Sequence, residues 1–537
     1  MKAMLSFSIL SGVLVLALPA AAQPSLMQGA ARPCASLAGV AIPATALGLP
    51  TTGATVTSAA DTSTPANGNF CKVLGAIHPV DSTAPDILFQ LNLPASWNGK
   101  ALQMGGGGYN GRLVTGEDGR FPDPKKPLPL GQGYATFGSD SGHETKQGED
   151  AAAFASNAEA LRNFGGDQLK KTHDAAVFLI RQHYGRTPRR MYFQGNSQGG
   201  HEGFEAVQRY PADYDGVIAI HPVYDFAALQ LDGVLLGQAL YNKPGAWISP
   251  DKAAAVTKAE IDACDTLDGA KDGLISNLAA CHAAFHIDSL RCAGGTDTGS
   301  SCLSEAQLAT YKTFAAPMPF TVTLSGLDHF AGWPVMDGAD LNGRANTFGV
   351  EPKPAIPATP RDSFLYMMGD TMARDMVVRD AASNSLAFDQ NRNAAQLAEV
   401  SRIIDGSSDD ITAFQKRGGK LLIMHGTIDM AVSPYNSIEY YERLKKRYGE
   451  TALKKFVRFY VAPGFGHGYG SFIVGWDSLG TLDAWVEHGS APGLQVATDT
   501  GPTGQGRQRP LCEFLSWPKY NGSGDVNAAS SFICAIK

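Results

Sequence analysis

The sequence predicts an α/β fold, with a mostly parallel sheet covered by helices on both faces and interrupted by one large insertion. Three observations predict it. Segments with strand character alternate with segments of helical spacing. One serine sits in a glycine-rich turn between such a strand and such a helix. The alternation stops near Tyr224 and resumes only near Lys416. Strands alternating with helices favour parallel pairing, because each crossover lays a helix on a face of the sheet.

In chain order, "DILFQLNLP" (86–94) alternates apolar and polar residues, as a half-buried strand does. "KALQMGGGGYNG" (100–111) reads as a strand running into a glycine loop, and "GYATFGSDSGH" (133–143) as a strand and turn. "GDQLKKTHDAAVFLIRQHYG" (166–185) carries apolar residues at helical spacing on one face. "RRMYFQGNSQGGHEGFEAVQRY" (189–210) is strand, turn and helix, and "DGVIAIHP" (215–222) a buried strand. After the gap come a strand, "GGKLLIMHGTID" (418–429), a helix, "SIEYYERLKKRYG" (437–449), and a strand, "KFVRFYVAP" (455–463). "SLGTLDAWVEHG" (478–489) closes the set as a helix. The expected organisation is a signal peptide at 1–22, a first core segment at 23–223, a lid at 224–416 and a second core segment at 417–537. Open α/β sheets bind ligands beyond the carboxyl ends of their strands, so a lid is expected over that end.

The first residues combine an early lysine, an apolar run from Met4 to Leu18 and small residues ending at Ala22, the layout of a cleaved export signal. That run is short for a bilayer span, and no cysteine at the cleavage point offers a lipid anchor. A secreted or periplasmic protein is expected. The net charge of −7 gives no reason to expect nucleic acid or an anionic membrane as a partner, and nothing in the sequence fixes the oligomeric state. Export favours oxidised cysteines, so Cys34, Cys71, Cys264, Cys281, Cys292, Cys302, Cys512 and Cys534 read as disulfides. Pairing neighbours would give four local staples, although sequence alone leaves the connectivity open.

Gly195-Asn196-Ser197-Gln198-Gly199 fits G-x-S-x-G in the strand–turn–helix setting of a nucleophile elbow. A serine hydroxyl is almost un-ionised at neutral pH and needs a base to take its proton. The partners should follow in the order serine, acid, histidine, each after a core strand. Asp429 and His467 meet that order. His467 would act as general base and Asp429 would hold its tautomer. His425, inside the strand end, and His201, one turn into the elbow helix, are expected to be structural. Asp477 and Asp483 follow the histidine and break the order. The developing oxyanion needs donors, for which the backbone N–H of Gln198 and the "GGGG" loop, Gly105 with Gly106, Gly107 and Gly108, are the candidates. In "CDTLDGAKDGLI" (264–275) three carboxylates, Asp265, Asp268 and Asp272, crowd a glycine-containing loop. Their mutual repulsion calls for a cation, and oxygen-only ligands completed by the carbonyls of Ala270 and Leu274 suit Ca2+.

With these parts assembled, the sequence resembles the tannase and feruloyl esterase family of lidded α/β-hydrolases. The likeness runs from about Cys34 to Cys534 through "LPASWNGK", "GGGGYNG", "SDSGH", "GNSQGGHEG", "YPADYDGVIA", "CDTLDGAKDGLI", "FQKRGGKLLIMHGTID", "APGFGH", "WVEHG" and "RPLCEF". The resemblance implies Ser197, Asp429 and His467 as a triad and a structural calcium in the lid held by Asp265, Asp268, Ala270, Asp272 and Leu274. It implies the neighbour pairing of the cysteines. It also implies a serine carboxylesterase acting on small esters of aromatic acids, feruloyl, galloyl or terephthaloyl in type, without an organic cofactor. Family members usually bridge a cysteine before the serine to one after the histidine. Here those positions hold Asn196 and Gly468. Two expectations follow: that the Asn196 amide bonds the 464–468 backbone in place of the bridge, and, as the alternative, that the chain is a weak or inactive hydrolase-fold binding protein. Among lid residues, Arg344 and Arg361 are candidates to grip a substrate carboxylate, though a surface or structural role is expected of each. Phe330, Trp333, Phe348, Phe364 and Tyr366 are candidates to line an aryl pocket, with most expected in the core.

Overall fold

The computed structural model describes Met1 and residues 31–502, 504 and 506–536. The signal-peptide expectation falls outside them. A thirteen-stranded sheet organises the chain. In sequence order its strands, with those of two small hairpins, are β1 (Ala41–Ile42), β2 (Gly53–Thr64), β3 (Gly68–His78), β4 (Ile87–Pro94), β5 (Lys100–Met104), β6 (Ala135–Ser139), β7 (Arg190–Asn196), β8 (Gly216–Ile220), β9 (Met318–Leu324), β10 (Leu327–Phe330), β11 (Lys420–Gly426), β12 (Val457–Ala462), β13 (Val474–Gly475), β14 (Gln495–Asp499), β15 (Gln508–Glu513), β16 (Trp517–Tyr520) and β17 (Phe532–Ala535). The large sheet runs β1-β2-β3-β4-β6-β5-β7-β8-β11-β12-β15-β14-β13.

The centre, from β6 through β5, β7, β8 and β11 to β12, is parallel. Its strands are apolar and buried along their length, as burial on both faces requires. Leu179, Phe193, Phe204, Val217, Ile423 and Phe459 belong to the core on one face, and Leu102, Tyr192, Ile218, Met424, Leu482 and Trp485 to that on the other. The expected helices form at Gln168–Tyr184, Gln198–Arg209, Pro434–Tyr448 and Ser478–His488, the first and last capped by a left-handed glycine, Gly185 and Gly489. On the flanks, β1 to β4 and β15 to β13 are antiparallel.

Strands β8 and β11 pair directly, so everything between Ile220 and Lys420 leaves the sheet. That segment folds mainly as helices with the β9–β10 hairpin. Its first helix, Phe226–Tyr241, is buried nearly all round and packs on Phe364–Thr371. Phe226, Leu231, Tyr311, Phe314 and Trp333 lie in one apolar core that also takes in Tyr109 and Phe164 from the sheet-bearing part, which seats the insertion on the carboxyl end of the strands.

All eight cysteines are paired, Cys34–Cys71, Cys264–Cys281, Cys292–Cys302 and Cys512–Cys534, with separations of 37, 17, 10 and 22 residues. Each closes a local loop, which limits the entropy of the unfolded chain. No helix among the described residues is long and apolar enough to cross a membrane.

Candidate active site

Five consecutive parallel strands deliver chemistry to one rim: β5 ends in the glycine loop, β7 in Ser197, β8 in His221, β11 leads to Asp429 and β12 to His467. The turn at Ser197 is an elbow in backbone terms, with φ 63° and ψ −124°. A non-glycine residue held there is strained, and surrounding structure must enforce it. The Ser197 N–H donates to the Ile220 carbonyl at 2.9 Å, which ties the turn to the neighbouring strand. The glycines of the pentapeptide answer to space. A Cβ on Gly195 would lie 2.0 Å from the Gly199 carbonyl oxygen, and one on Gly199 would lie 2.9 Å from the Gly106 oxygen.

His467 Nδ1 is 2.7 Å from Asp429 Oδ2. Asp429 is fully buried, and its other oxygen accepts the backbone N–H of Ala431 and Val432 at 2.8 and 3.1 Å. Burial pushes this carboxyl up, but His467 and His425 outweigh it and hold the group well below the usual carboxylate range. It is therefore an anion across the working pH range. His425 supports the same carboxylate from behind. Its Nε2 faces the Val432 carbonyl at 3.0 Å and lies 3.4 Å from Asp429 Oδ2, and its Nδ1 faces Ser437 Oγ at 2.8 Å.

Ser197, His467, Gln198, Gly106, Gly107 and Gly108 all line one cavity of about 670 Å³ between sheet and insertion. Its walls include Val223, Phe226, Leu229, Phe364 and Met368, with Arg112 and Arg344 at exposed positions. The backbone N–H of Gln198 sits in the first turn of the elbow helix, where amides have no intrahelical partner. Within the glycine loop the four residues are not equivalent. Gly105 donates to the Gln194 carbonyl at 3.0 Å, and Gly106 donates to Glu202 Oε2 at 3.0 Å. Gly106 is thus engaged by the protein and is not a free donor. Gly107 and Gly108 follow it at the exposed end of the loop.

The rival candidates fall where a structural role places them. His201 is buried, with its ring nitrogens against the Val223 and Ile404 carbonyls, bracing the two ends of the insertion. Asp477 caps the helix Ser478–His488, and Asp483 pairs with Lys100 and Tyr192. Of the lid candidates, Arg344 and Phe364 reach the cavity. Arg361 instead pairs with Glu351 on the surface. Phe330, Phe348 and Tyr366 are buried in packing, and Trp333 donates its Nε1–H to the buried Asp232 at 2.8 Å.

One expectation needs correcting. Asn196 does not bond the 464–468 backbone. Its Oδ1 lies 2.8 Å from Nδ1 of His221, a residue contributed by β8 that sequence reasoning passed over. His221 is fully buried, packs against His467 and Phe465 with ring centroids 5.2 and 4.8 Å apart, and burial drives its pKa well below the ordinary value. A neutral ring therefore joins the elbow to the histidine loop by packing. Among the described residues, His221, Asp429 and His467 form the set of three whose potential ligand atoms lie within 4.8 Å of one another.

In the acidic loop Asp265 Oδ1 accepts the N–H of Asp272 and Gly273 at 3.0 and 2.8 Å, and Asp268 Oδ1 accepts that of Ala270 at 2.9 Å. Asp268 Oδ2 is buried without a partner, and burial together with the neighbouring carboxylates pushes this acid up to about 6. The Asp268 oxygen suits a cation ligand, but Ser276 also bears on this acid and Asp272 already meets the guanidinium of Arg509. Among the described residues, the three acids do not form a set whose ligand atoms converge within 4.8 Å.

The sheet order, the strained serine turn and the insertion seated over the strand ends define the α/β-hydrolase class. Within it, the chain belongs to the tannase and feruloyl esterase family, whose members are carboxylic ester hydrolases: the family profile "Tannase and feruloyl esterase" matches residues 71–535. The chain is 39% identical over 525 residues to an uncharacterized esterase of Agrobacterium fabrum, covering 95% of this chain and 94% of the relative. It is 29% identical to the mono(2-hydroxyethyl) terephthalate hydrolase of Piscinibacter sakaiensis, covering 87% and 84%. Among solved structures, feruloyl esterase B from Aspergillus oryzae superposes with a TM-score of 0.74 at 23% identity, covering 91% of this chain and 98% of that one.

Proposed function

We propose that this chain is an exported serine carboxylesterase that hydrolyses small esters of aromatic carboxylic acids through an acyl-enzyme on Ser197. The observation that carries this reading is the shared cavity: Ser197, His467 with its buried aspartate, Gln198 and Gly107 all line one space, walled by both apolar and polar side chains, of a size that holds a small aromatic ester. His467 Nε2 takes the Ser197 proton as Oγ attacks the ester carbonyl, and Asp429 stabilises the imidazolium. The carbonyl oxygen becomes an anion that the Gln198 amide and the outer glycine amides receive. His467 then returns the proton to the departing alcohol, and a water activated by the same ring hydrolyses the acyl-enzyme. The named relatives include a probable feruloyl esterase and a terephthalate monoester hydrolase, which favours an aromatic acyl group. Turnover of methyl ferulate, methyl gallate and mono(2-hydroxyethyl) terephthalate, set beside acetate and butyrate esters, tests it. At least one aromatic acyl ester is expected to exceed the aliphatic ones in kcat/KM, and hydrolysis of aliphatic esters alone overturns the assignment.

We also propose a structural Ca2+ in the lid. Asp265, Asp268 and Asp272 would supply carboxylate oxygens and Ala270 and Leu274 carbonyls, and the ion would offset the repulsion between the acids. Since Cys264–Cys281 and Arg509 also hold this loop, removal should lower stability without unfolding the chain. We expect EDTA to lower Tm by several degrees and added Ca2+ to restore it, with Asp268→Ala insensitive to both. A Tm indifferent to EDTA in the wild type excludes the ion.

A further inference from the structure

The glycine loop after β5 has no side chains with which to hold its own shape, and its Gly108 lies at φ 60°. Such a segment is conformationally free unless something outside it fixes the peptide planes. An oxyanion donor must nevertheless be in place before the reaction, because its worth lies in costing no reorganisation.

What holds the loop is a buried carboxylate on the elbow helix. Glu202 is 1% exposed. Its Oε2 accepts the Gly106 N–H at 3.0 Å, and its Oε1 accepts Asn110 Nδ2 at 2.8 Å and Gln168 Nε2 at 3.1 Å. On the other side of the loop, Arg120 donates to the Gly105 carbonyl at 3.1 Å. The fit is close, since a Cβ on Gly105 would lie 2.6 Å from both Glu202 Oε2 and Gly199 Cα. Both oxygens of Glu202 thus act only as acceptors, toward three donors.

We infer that Glu202 is a positioning residue for the oxyanion hole: its carboxylate clamps the Gly106 peptide to the elbow helix, so that the Gly107 amide and the Ser197 hydroxyl are carried by one rigid unit. This deepens, and rests on, the proposed esterase mechanism. Glu202 touches no substrate and acts through the loop. Because it takes the Gly106 N–H, it also selects the next amide as the donor left for substrate.

The charge state matters. Burial pushes Glu202 up to about 7 and the neighbouring Glu205 carboxyl adds to this, while the Gly106 N–H, Asn110 and the Arg120 guanidinium oppose it. Protonation would place an O–H against groups that are themselves donors. The clamp is therefore complete above neutral pH and is lost as the pH falls through that value.

Glu202→Gln tests this with almost no change of volume, because its amide must turn an NH2 toward either Gly106 or the Asn110 and Gln168 donors. We expect kcat to fall on the order of 10- to 100-fold, less than the loss of a whole oxyanion donor, with KM within about threefold. The Ki of a boronic acid, whose adduct mimics the tetrahedral species, should rise by the same factor as kcat/KM falls, while Tm stays within a few degrees. In the wild type, the acid limb of kcat should carry an ionisation at about 7 that Glu202→Gln lacks. An unchanged kcat and boronate Ki in Glu202→Gln overturns the inference, as does a wild-type kcat that stays flat as the pH falls through about 7, a measurement that needs no variant to fold. If the esterase reading itself fails, Ser197→Ala retains the activity, an outcome separate from these.

Discussion

Ser197→Ala is expected to lower kcat by about 10⁴- to 10⁶-fold, leaving the slow residue of catalysis that binding and oxyanion donors supply alone. The loss should be chemical and not structural. The backbone at position 197 is set by its N–H bond to Ile220 and by the close approach of Gly195, Gly199 and the glycine loop, none of which involves Oγ. Alanine must adopt the same strained φ as serine, so Tm should change by little. Initial rates on the best aromatic ester, with a thermal melt on the same samples, give the result. A fluorophosphonate probe gives a second reading that needs no knowledge of substrate: the Ser197 oxygen should displace its fluoride and carry one phosphonyl group in the wild type, with none on the variant. Activity retained within tenfold would mean that another group attacks the ester. An unlabelled, inactive wild type would favour the binding-protein alternative.

Much of the core and of the site was legible from residue order, because an apolar run followed by a turn reveals where a strand ends, and in this fold function gathers at strand ends. Ser197, Asp429 and His467 each follow such a run. The long β2–β3 hairpin went unread although "ATVTSAADTST" has strong strand character, since its exposed side lacks the apolar alternation that marks a half-buried strand. The errors at the site share one cause. That Gly106 is engaged depends on Glu202 lying one turn further along the elbow helix, and that Asn196 turns to His221 depends on which strand lies beside β7. Both partners come from elements brought together only by folding. The residues themselves, in "GNSQGGHEG" and "DGVIAIHP", were in plain view, but neither pattern says where a side chain's partner will be. The lid was least legible for the same reason: Arg344 and Arg361 look alike in sequence, and only packing puts one at the cavity and the other beside Glu351.

The fate of the family's usual bridge follows from the same geometry. Asn196 to His221 is a hydrogen bond between β7 and β8, and His221 reaches His467 only through ring contact. The histidine loop is held instead by backbone bonds, Gly466 N–H to the Tyr469 carbonyl at 2.7 Å and Phe472 N–H to that of Gly464 at 3.0 Å, and by Asp429 itself. With no covalent tie at this point, the orientation of His467 leans more heavily on its aspartate.

That dependence makes Asp429→Asn the second large effect. The carboxylate sits between two demands. Oδ1 accepts two backbone N–H groups, from Ala431 and Val432, and Oδ2 accepts His467 Nδ1–H. An asparagine can meet only one of these with its single carbonyl oxygen. Turning its NH2 toward Ala431 and Val432 would oppose donor to donor in a fully buried place, so the oxygen should stay on the backbone and the NH2 should face His467. The imidazole must then accept at Nδ1 and carry its proton on Nε2, the tautomer that cannot take a proton from Ser197. The negative charge that supports the imidazolium is lost as well. We expect kcat to fall by about 10⁴-fold with KM nearly unchanged, comparable to the cost of the same change in a Ser-His-Asp triad. Because the native carboxyl is held well below the usual range, acidification of the wild type should not reproduce this loss by protonating Asp429. Steady-state kinetics of the variant across neutral and alkaline pH, with Tm as the control for folding, make the measurement. A fall of less than tenfold would mean that His467 keeps its working tautomer without Asp429, and that the buried pair serves only to hold the loop.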